Sequence, residues 1–321
     1  MKIAAAFPGK GKTLSNYRRI QRFLSDKQVL DFNKLALFIV SLFGFLDKKY
    51  ELAMDRTHWQ WGQKNINVFM LSIVYKGISI PVYWTVFDKK GNSNTAERIE
   101  LMEQFIAQFG QEKIIRVLAD REFVGKIWLN WLKNQGIDFG IRLKKDTLVR
   151  NSRGKFVQIH TLFRLLKAGE AIILPTMREI YQGETTVFIS GLRLPDGNLL
   201  ILATNSLSDT PFENYSHRWQ IETLFSCLKT RGFHLENTHL TDPQRMKRLL
   251  AVLAIAFCWA HKIGEYQHEQ KPIKLKKHQR SAKSLFRLGL DWLVERLFKW
   301  SYQLENEDNL KLAFEIMICS G

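Results

Sequence analysis

The sequence predicts an α/β fold with a mostly β insertion and helical segments at both ends. Three features predict it. Three strand-like runs follow one another early in the chain, a helix–strand–helix–strand alternation comes next, and a turn-rich β stretch then precedes strongly apolar helices. With 321 residues the chain can bury a sizeable core and still carry appendages.

In chain order, residues 1–46 read as a basic helical segment, with Tyr17, Arg18, Arg19 and Arg22 ahead of an apolar stretch from Leu30 onward. The runs 50–56, 66–75 and 78–88 are strand-like. The last two are joined by Lys76-Gly77, so an antiparallel meander is expected. Residues 94–109 form an amphipathic helix pattern, with Asn94 or Thr95 as its cap and Ile99, Met102, Phe105, Ile106 and Phe109 at helical spacing. A strand at 114–119, a helix at 126–134 stopped by Gly136 and a strand at 137–143 complete the alternation. Between 148 and 205, turn signals at Ser152-Arg153-Gly154, Gln182-Gly183 and Pro195-Asp196-Gly197 separate short β-branched runs. The helical period returns after Pro211, and a strongly apolar helix runs from Met246 to about Lys262. The expected organisation is a basic helical segment at 1–46, a core at 47–147 and 206–264, a β-rich insertion at 148–205 and a basic helical region at 265–321.

Charge narrows the partners. Lys and Arg number 48 against 31 Asp and Glu, a formal +17, and such an excess attracts a polyanion before any specific contact forms. Nucleic acid is the first expectation. A membrane partner is not expected, because the apolar runs 35–46 and 249–260 fall short of the ~20 residues a spanning helix needs. Cys227, Cys258 and Cys319 lie far apart and form neither a zinc pattern nor a disulfide framework. Together with an N-terminus that shows no signal peptide, they point to a reducing cytoplasm, with the protein associated with the nucleoid.

The layout of three strands, a helix, a strand and further α/β units is that of the ribonuclease-H-like fold, whose first and fourth strands lie side by side. Asp55 ends the run Leu52-Ala53-Met54-Asp55, and Asp120 ends Val117-Leu118-Ala119-Asp120. A carboxylate at each place would share one sheet edge. Two such carboxylates repel unless divalent cations fill the gap, and two Mg²⁺ ions ~3.5–4 Å apart can activate the attacking oxygen and stabilise the leaving oxygen of a phosphoryl transfer. The plain alternative for either residue is a surface Asp in a turn.

The helical stretch 214–230 is more specific. At about 100° per residue, with Glu222 at zero, Tyr215 falls near about +20°, Arg218 near about −40° and Lys229 near about −20°. One stripe therefore carries a hydroxyl, a guanidinium, a carboxylate and an ammonium, beside an apolar face of Ile221, Phe225 and Leu228. An Arg218–Glu222 pair within the helix, worth ~0.2–0.5 kcal/mol, would explain two of the four.

These motifs resemble the DDE transposases of bacterial insertion sequences, in the branch marked by a Tyr-Arg-Glu-Lys signature. Tyr215-x2-Arg218-x3-Glu222-x6-Lys229 matches that signature in residues and spacing. Met54-Asp55-Arg56-Thr57 and Leu118-Ala119-Asp120-Arg121-Glu122-Phe123 look like the first and second aspartate segments. The resemblance, which runs from about Ala6 to Gly264, implies that Asp55, Asp120 and Glu222 are catalytic metal ligands and that Tyr215, Arg218 and Lys229 contact DNA phosphates. It also implies two Mg²⁺ ions, with Mn²⁺ as a substitute, and cut-and-paste transposition on terminal inverted repeats and target DNA. A homodimer in the synaptic complex and a hairpin at the transposon end, with a flipped base stacked on an aromatic of the insertion, belong to the same expectation. No Trp lies between Trp131 and Trp219, so Tyr181 and Phe188 are the stacking candidates, and His58 stands where the family more often has Asn. Family members usually carry a further N-terminal helical segment that reads the terminal repeat. The chain is therefore expected to be truncated there and to discriminate transposon ends poorly.

Other patterns lead elsewhere. Ala6-x4-Gly11-Lys12-Thr13 fits a relaxed phosphate loop but lacks a preceding strand. Glu122, if on a strand, would point away from Asp120. The eight histidines form no zinc pattern. The run Lys271 to Arg287 is either a phosphate-following segment or a solvated helical face. The rival readings are a junction or flap nuclease on the same fold and an inactive DNA-binding remnant.

Overall fold

The computed structural model describes residue 4 and residues 11–277, 279–301 and 308–318. Residues 6–10 of the phosphate-loop pattern and Cys319 lie outside them. The basic opening segment forms two helices, α1 (Thr13–Ser25) and α2 (Phe32–Leu42). Asp31 separates them by accepting hydrogen bonds from the Asn33 and Lys34 amides at the start of α2.

The meander is present as β1 (Tyr50–Trp61), β2 (Lys64–Tyr75) and β3 (Ile78–Phe87), antiparallel throughout. Lys76 and Gly77 both take positive φ, 42° and 88°, as a two-residue hairpin turn between right-twisted strands requires. Strand β1 continues past Arg56, beyond the apolar run that marked it, because its pairing with β2 persists to Trp61↔Lys64. Helix α3 (Thr95–Phe109) starts with a capping box in which Asn94 and Glu97 bond each other's amides. Then come β4 (Ile114–Ala119), α4 (Lys126–Asn134) and β5 (Phe139–Arg142).

Strand β1 pairs antiparallel with β2 and parallel with β4, and β4 pairs parallel with β5. The order β3-β2-β1-β4-β5 with these directions is ribonuclease-H-like, as the sequence predicts. Alternation along β1 sends Tyr50 toward Phe105 of α3 and Glu51 and Asp55 toward the opposite face. Helices cover both faces, so the central strands are apolar in long runs rather than alternating, with Ile66 to Leu71 all buried and apolar except for Asn67, which is hydrogen-bonded.

The stretch 148–205 forms β6 (Leu148–Arg150), β7 (Phe156–Gln158), β8 (Ala171–Ile173), β9 (Arg178–Ile180), β10 (Thr185–Arg193) and β11 (Leu199–Thr204). It does not stand apart from the core. Strand β11 pairs antiparallel with β5, from Leu202↔Arg142 to Thr204↔Gly140, and β10 extends the same sheet.

The stretch 214–230 is not one regular helix. It is α5 (Pro211–Ser216), α6 (Trp219–Ser226) and a π turn at Cys227–Arg231. Between α5 and α6 the bonds tighten, with the Arg218 amide donating to the Tyr215 carbonyl and Gln220 to His217. Past Ser226 the spiral widens instead. Angles drawn at a uniform 100° per residue therefore do not describe Lys229.

Helix α7 (Pro243–Gln270) is far longer than its apolar run, and by length and composition could cross a bilayer. Half of its apolar window is buried inside the fold, and its buried Arg248 donates to the Leu24 carbonyl of α1, so it serves as a core helix. Helices α8 (Leu285–Ser301) and α9 (Asp308–Ile318) pack on it. The expectation of a helical region from 265 fails over the basic run. Residues 271–277 and 279–284 are mostly irregular, with one bridge between Leu275 and Ser281, because Pro272 follows the end of α7 and stops it.

Candidate active site

Asp55 sits on β1, Asp120 one residue past β4, and the parallel pairing of Met54 with Ala119 puts the two side by side at one sheet edge. Helix α6 lies across β1, β2 and β3 and brings Glu222 to the same place. All three acids line one open pocket of about 370 Å³ with Arg218 among them. The Arg218 guanidinium is buried, lying 3.0 Å from the Asp55 carboxylate and 2.8 Å from that of Glu222. The helical pair expected within this stretch is thus real, and the same guanidinium also holds a strand. Tyr215 points its hydroxyl at Asp120, at 3.5 Å, and Arg142 approaches Asp120 at 3.8 Å. Lys229 lies outside this pocket's lining, yet its ammonium reaches Thr57 at 3.2 Å and Glu236 at 2.6 Å and lies 5.5 Å over the Trp59 ring.

Burial pushes the Asp55 carboxyl up to about 7, against the opposing pull of Arg218 and the Arg56 amide, with Glu122 and Glu222 adding repulsion. Burial also raises the Tyr215 hydroxyl well above its ordinary value, so it stays protonated and can donate. Arg218 is held firmly in its charged form: Tyr215, Asp55 and Glu222 outweigh the desolvation that opposes it.

Glu122 departs from its expected place, because β4 ends at Ala119 and the Phe123 amide closes a turn onto the Asp120 carbonyl. Strand alternation therefore does not apply to it. Its carboxylate grips Arg56 with two bonds, at 3.2 and 3.0 Å, and borders the acid pocket. Arg98 is a further residue that the sequence reading passed over. Buried on the core side of α3, it donates to the Glu122 carbonyl at 2.9 Å and the Val124 carbonyl at 3.2 Å, fixing the turn that carries Asp120. The available signal was an Arg at helical spacing with Leu101, Met102 and Phe105. Tyr181 and Phe188 are both partly buried, and Tyr181 packs against the core.

The donor chemistry fits a hard divalent cation: the carboxylates of Asp55, Asp120 and Glu222 share one pocket with that of Glu122, and one of them, Asp55, is desolvated enough to hold its proton near neutrality. Among the described residues no three His, Cys, Asp or Glu side chains converge into a ready metal cage, and Arg218 bridges Asp55 and Glu222.

Residues 47–259 match the family model described as the transposase DDE domain. The chain belongs to that family. Its members are transposase enzymes that act on DNA and generally use divalent metals. No curated protein sequence matches this chain. Among solved structures it is similar to the piggyBac transposase in a synaptic complex with hairpin DNA, at 9% identity and a TM-score of 0.43. That alignment covers 94% of this chain and 64% of the other, so the chain spans less than two thirds of the piggyBac transposase's length. A second similarity is to the catalytic domain of human endonuclease V, at 14% identity and a TM-score of 0.31 over 72% of this chain and 99% of that one.

Proposed function

We propose that this transposase moves a bacterial insertion sequence of the Tyr-Arg-Glu-Lys branch by cut-and-paste, with Asp55, Asp120 and Glu222 as its catalytic acids. The observation that carries the reading is Arg218, whose single guanidinium ties Asp55 on β1 to Glu222 on α6, with Asp120 in the same pocket. Signature residues far apart in sequence thus meet at one sheet edge.

Asp55, Asp120 and Glu222 would hold Mg²⁺, two ions in this reading, with Mn²⁺ able to substitute. Bound there, the metal supplies Lewis-acid stabilisation of the charge that builds on the phosphoryl oxygens. The protein's own groups orient the DNA. Tyr215, protonated and with its hydroxyl aimed at Asp120, can donate to a phosphate oxygen, and Arg218 offers a planar cation for one. Lys229, beside Thr57, would hold a phosphate farther along β1. The reaction begins with water nicking the transposon end. The freed 3′-hydroxyl then attacks a phosphate, forming a hairpin at the end and later joining target DNA, with a homodimer holding both ends.

The test is incubation with the flanking element DNA and Mg²⁺, scoring nicks, hairpins and joined products. Glu222→Gln should retain DNA affinity and lose nicking by on the order of 10³ or more, the scale on which preorganised electrostatic groups act. Undiminished nicking by that variant would remove Glu222 from the chemistry. Nicks without any joined product would favour a nuclease on the same fold.

A further inference from the structure

On the far side of Asp120 from α6, the end of β5 meets the β10–β11 turn and encloses an open groove of about 820 Å³. Arg121, Arg142, Lys144 and Lys145 come to it from the core strands and their loops, Arg164 and Arg193 from the stretch between β7 and β11. Asp146 is the one acid in the lining, so six cations face one carboxylate. Elsewhere the molecule neutralises part of its positive charge at short range: Arg56 lies 3.0 Å from Glu122, Arg116 3.1 Å from Glu51 and Arg150 2.9 Å from Glu179. The groove does not. Among the described residues Arg121, Lys144, Lys145 and Arg164 have no carboxylate partner, and Arg193 donates only to the carbonyls of Leu166, Phe163 and Gly197. Arg142, at 3.8 Å from Asp120, stands where the groove opens toward the acid pocket.

Like charges gathered in a concave site repel each other and focus a positive potential, and a polyanion relieves both. A phosphodiester strand supplies one negative charge per ~3.4 Å of rise, a linear array suited to a row of cations. We propose that this groove holds the phosphodiester backbone of the DNA segment that continues past the scissile phosphate on the Asp120 side. The proposal rests on the transposase reading for its ligand and adds the place, the residues and the direction of the strand. It also gives the pairing of β11 with β5 a purpose, since that pairing, with β10 beside β11, brings Arg193 into the same groove as Lys144 and Lys145.

The experiment measures DNA affinity against salt for three duplexes: one ending at the cut, and two extended by about a helical turn, one in each direction. Lys144, Lys145 and Arg164 are exposed, so the variant Lys144→Gln/Lys145→Gln/Arg164→Gln should fold as the wild type does. Each lost phosphate contact lowers the slope of log affinity against log salt by ~0.9 on duplex DNA. The variant should therefore show a slope lower by about 2–3 on one extended duplex, with the other extended duplex and the short one unchanged. An unchanged slope on all three, or an equal loss on all three, overturns the proposal. Nicking by Glu222→Gln tests the acid pocket separately. A one-sided slope loss upholds the groove even if that variant still nicks, and its absence overturns the groove even if that variant is dead.

Discussion

On one side of Asp120, Glu122 grips Arg56 with two bonds while Arg218 spans Asp55 and Glu222; on the other, Lys144, Lys145 and Arg164 reach no carboxylate among the described residues. The two regions adjoin, yet one spends its cations on holding protein together and the other leaves them facing outward. Charge inside the acid pocket is therefore structural before any DNA arrives, whereas charge in the groove contributes to binding alone. Stability measurements separate the two.

The largest effect should come from Arg218→Ala. Removing a buried cation strands Asp55 and Glu222 without a partner, and breaking a buried pair costs about 3–5 kcal/mol, readable as a lower midpoint in urea. A loss below about 1 kcal/mol would place this pair with ordinary surface ion pairs and erase the contrast.

Asp55→Asn should act in the opposite direction and depend on pH. The folded carboxyl titrates near about 7 against 3.8 unfolded, so below pH 3.8 both states hold the proton and the substitution is neutral. As pH rises through this window the unfolded chain ionises first and the wild type loses stability. Above pH 7, without divalent metal, the Asn variant should be the more stable, by up to about 4 kcal/mol. Added Mg²⁺ should then stabilise the wild type and leave the variant unmoved. Parallel melting curves of the two proteins from pH 4 to pH 8 would contradict this.

The smallest effect belongs to the groove. Lys144→Gln/Lys145→Gln/Arg164→Gln should shift stability by no more than about 0.5 kcal/mol, with a slight gain from relieved repulsion, since exposed unpaired groups contribute little to the fold. A loss of several kcal/mol would mean that these cations hold the fold and are not free for a ligand.

The same contrast explains what was legible in the sequence. Strands β1 to β5 were readable because their long apolar runs reflect burial on both faces, and Lys76-Gly77 announces its turn locally. Asp55, Asp120 and Glu222 were visible as acids at the ends of apolar runs or within a spaced signature. The tightening at His217–Arg218 and the π turn carrying Lys229 were not visible, because contacts with Thr57, Trp59 and Glu236 accompany that geometry and uniform helical angles ignore them. Glu122 was misplaced because strand alternation was carried past the end of β4 into the turn that the Phe123 amide closes onto Asp120. The groove was hidden most completely. Its cations are scattered from Arg121 to Arg193 over strands and loops, and only the long-range pairing of β5 with β11 gathers them.

That pairing also has a mechanical side. The ladder from β4 through β5 and β11 to β10 is continuous, so no hinge separates the acids from the cations beyond them, and rotating one against the other would break backbone bonds such as those between Leu202 and Arg142. A DNA segment that touches both must take the angle the sheet dictates, and the cost of fitting falls on the duplex. Pyrimidine–purine steps bend most cheaply. Ends with such steps beside the cut should be favoured even where no side chain reads a base, so that stiffness, and not hydrogen bonding, does part of the choosing.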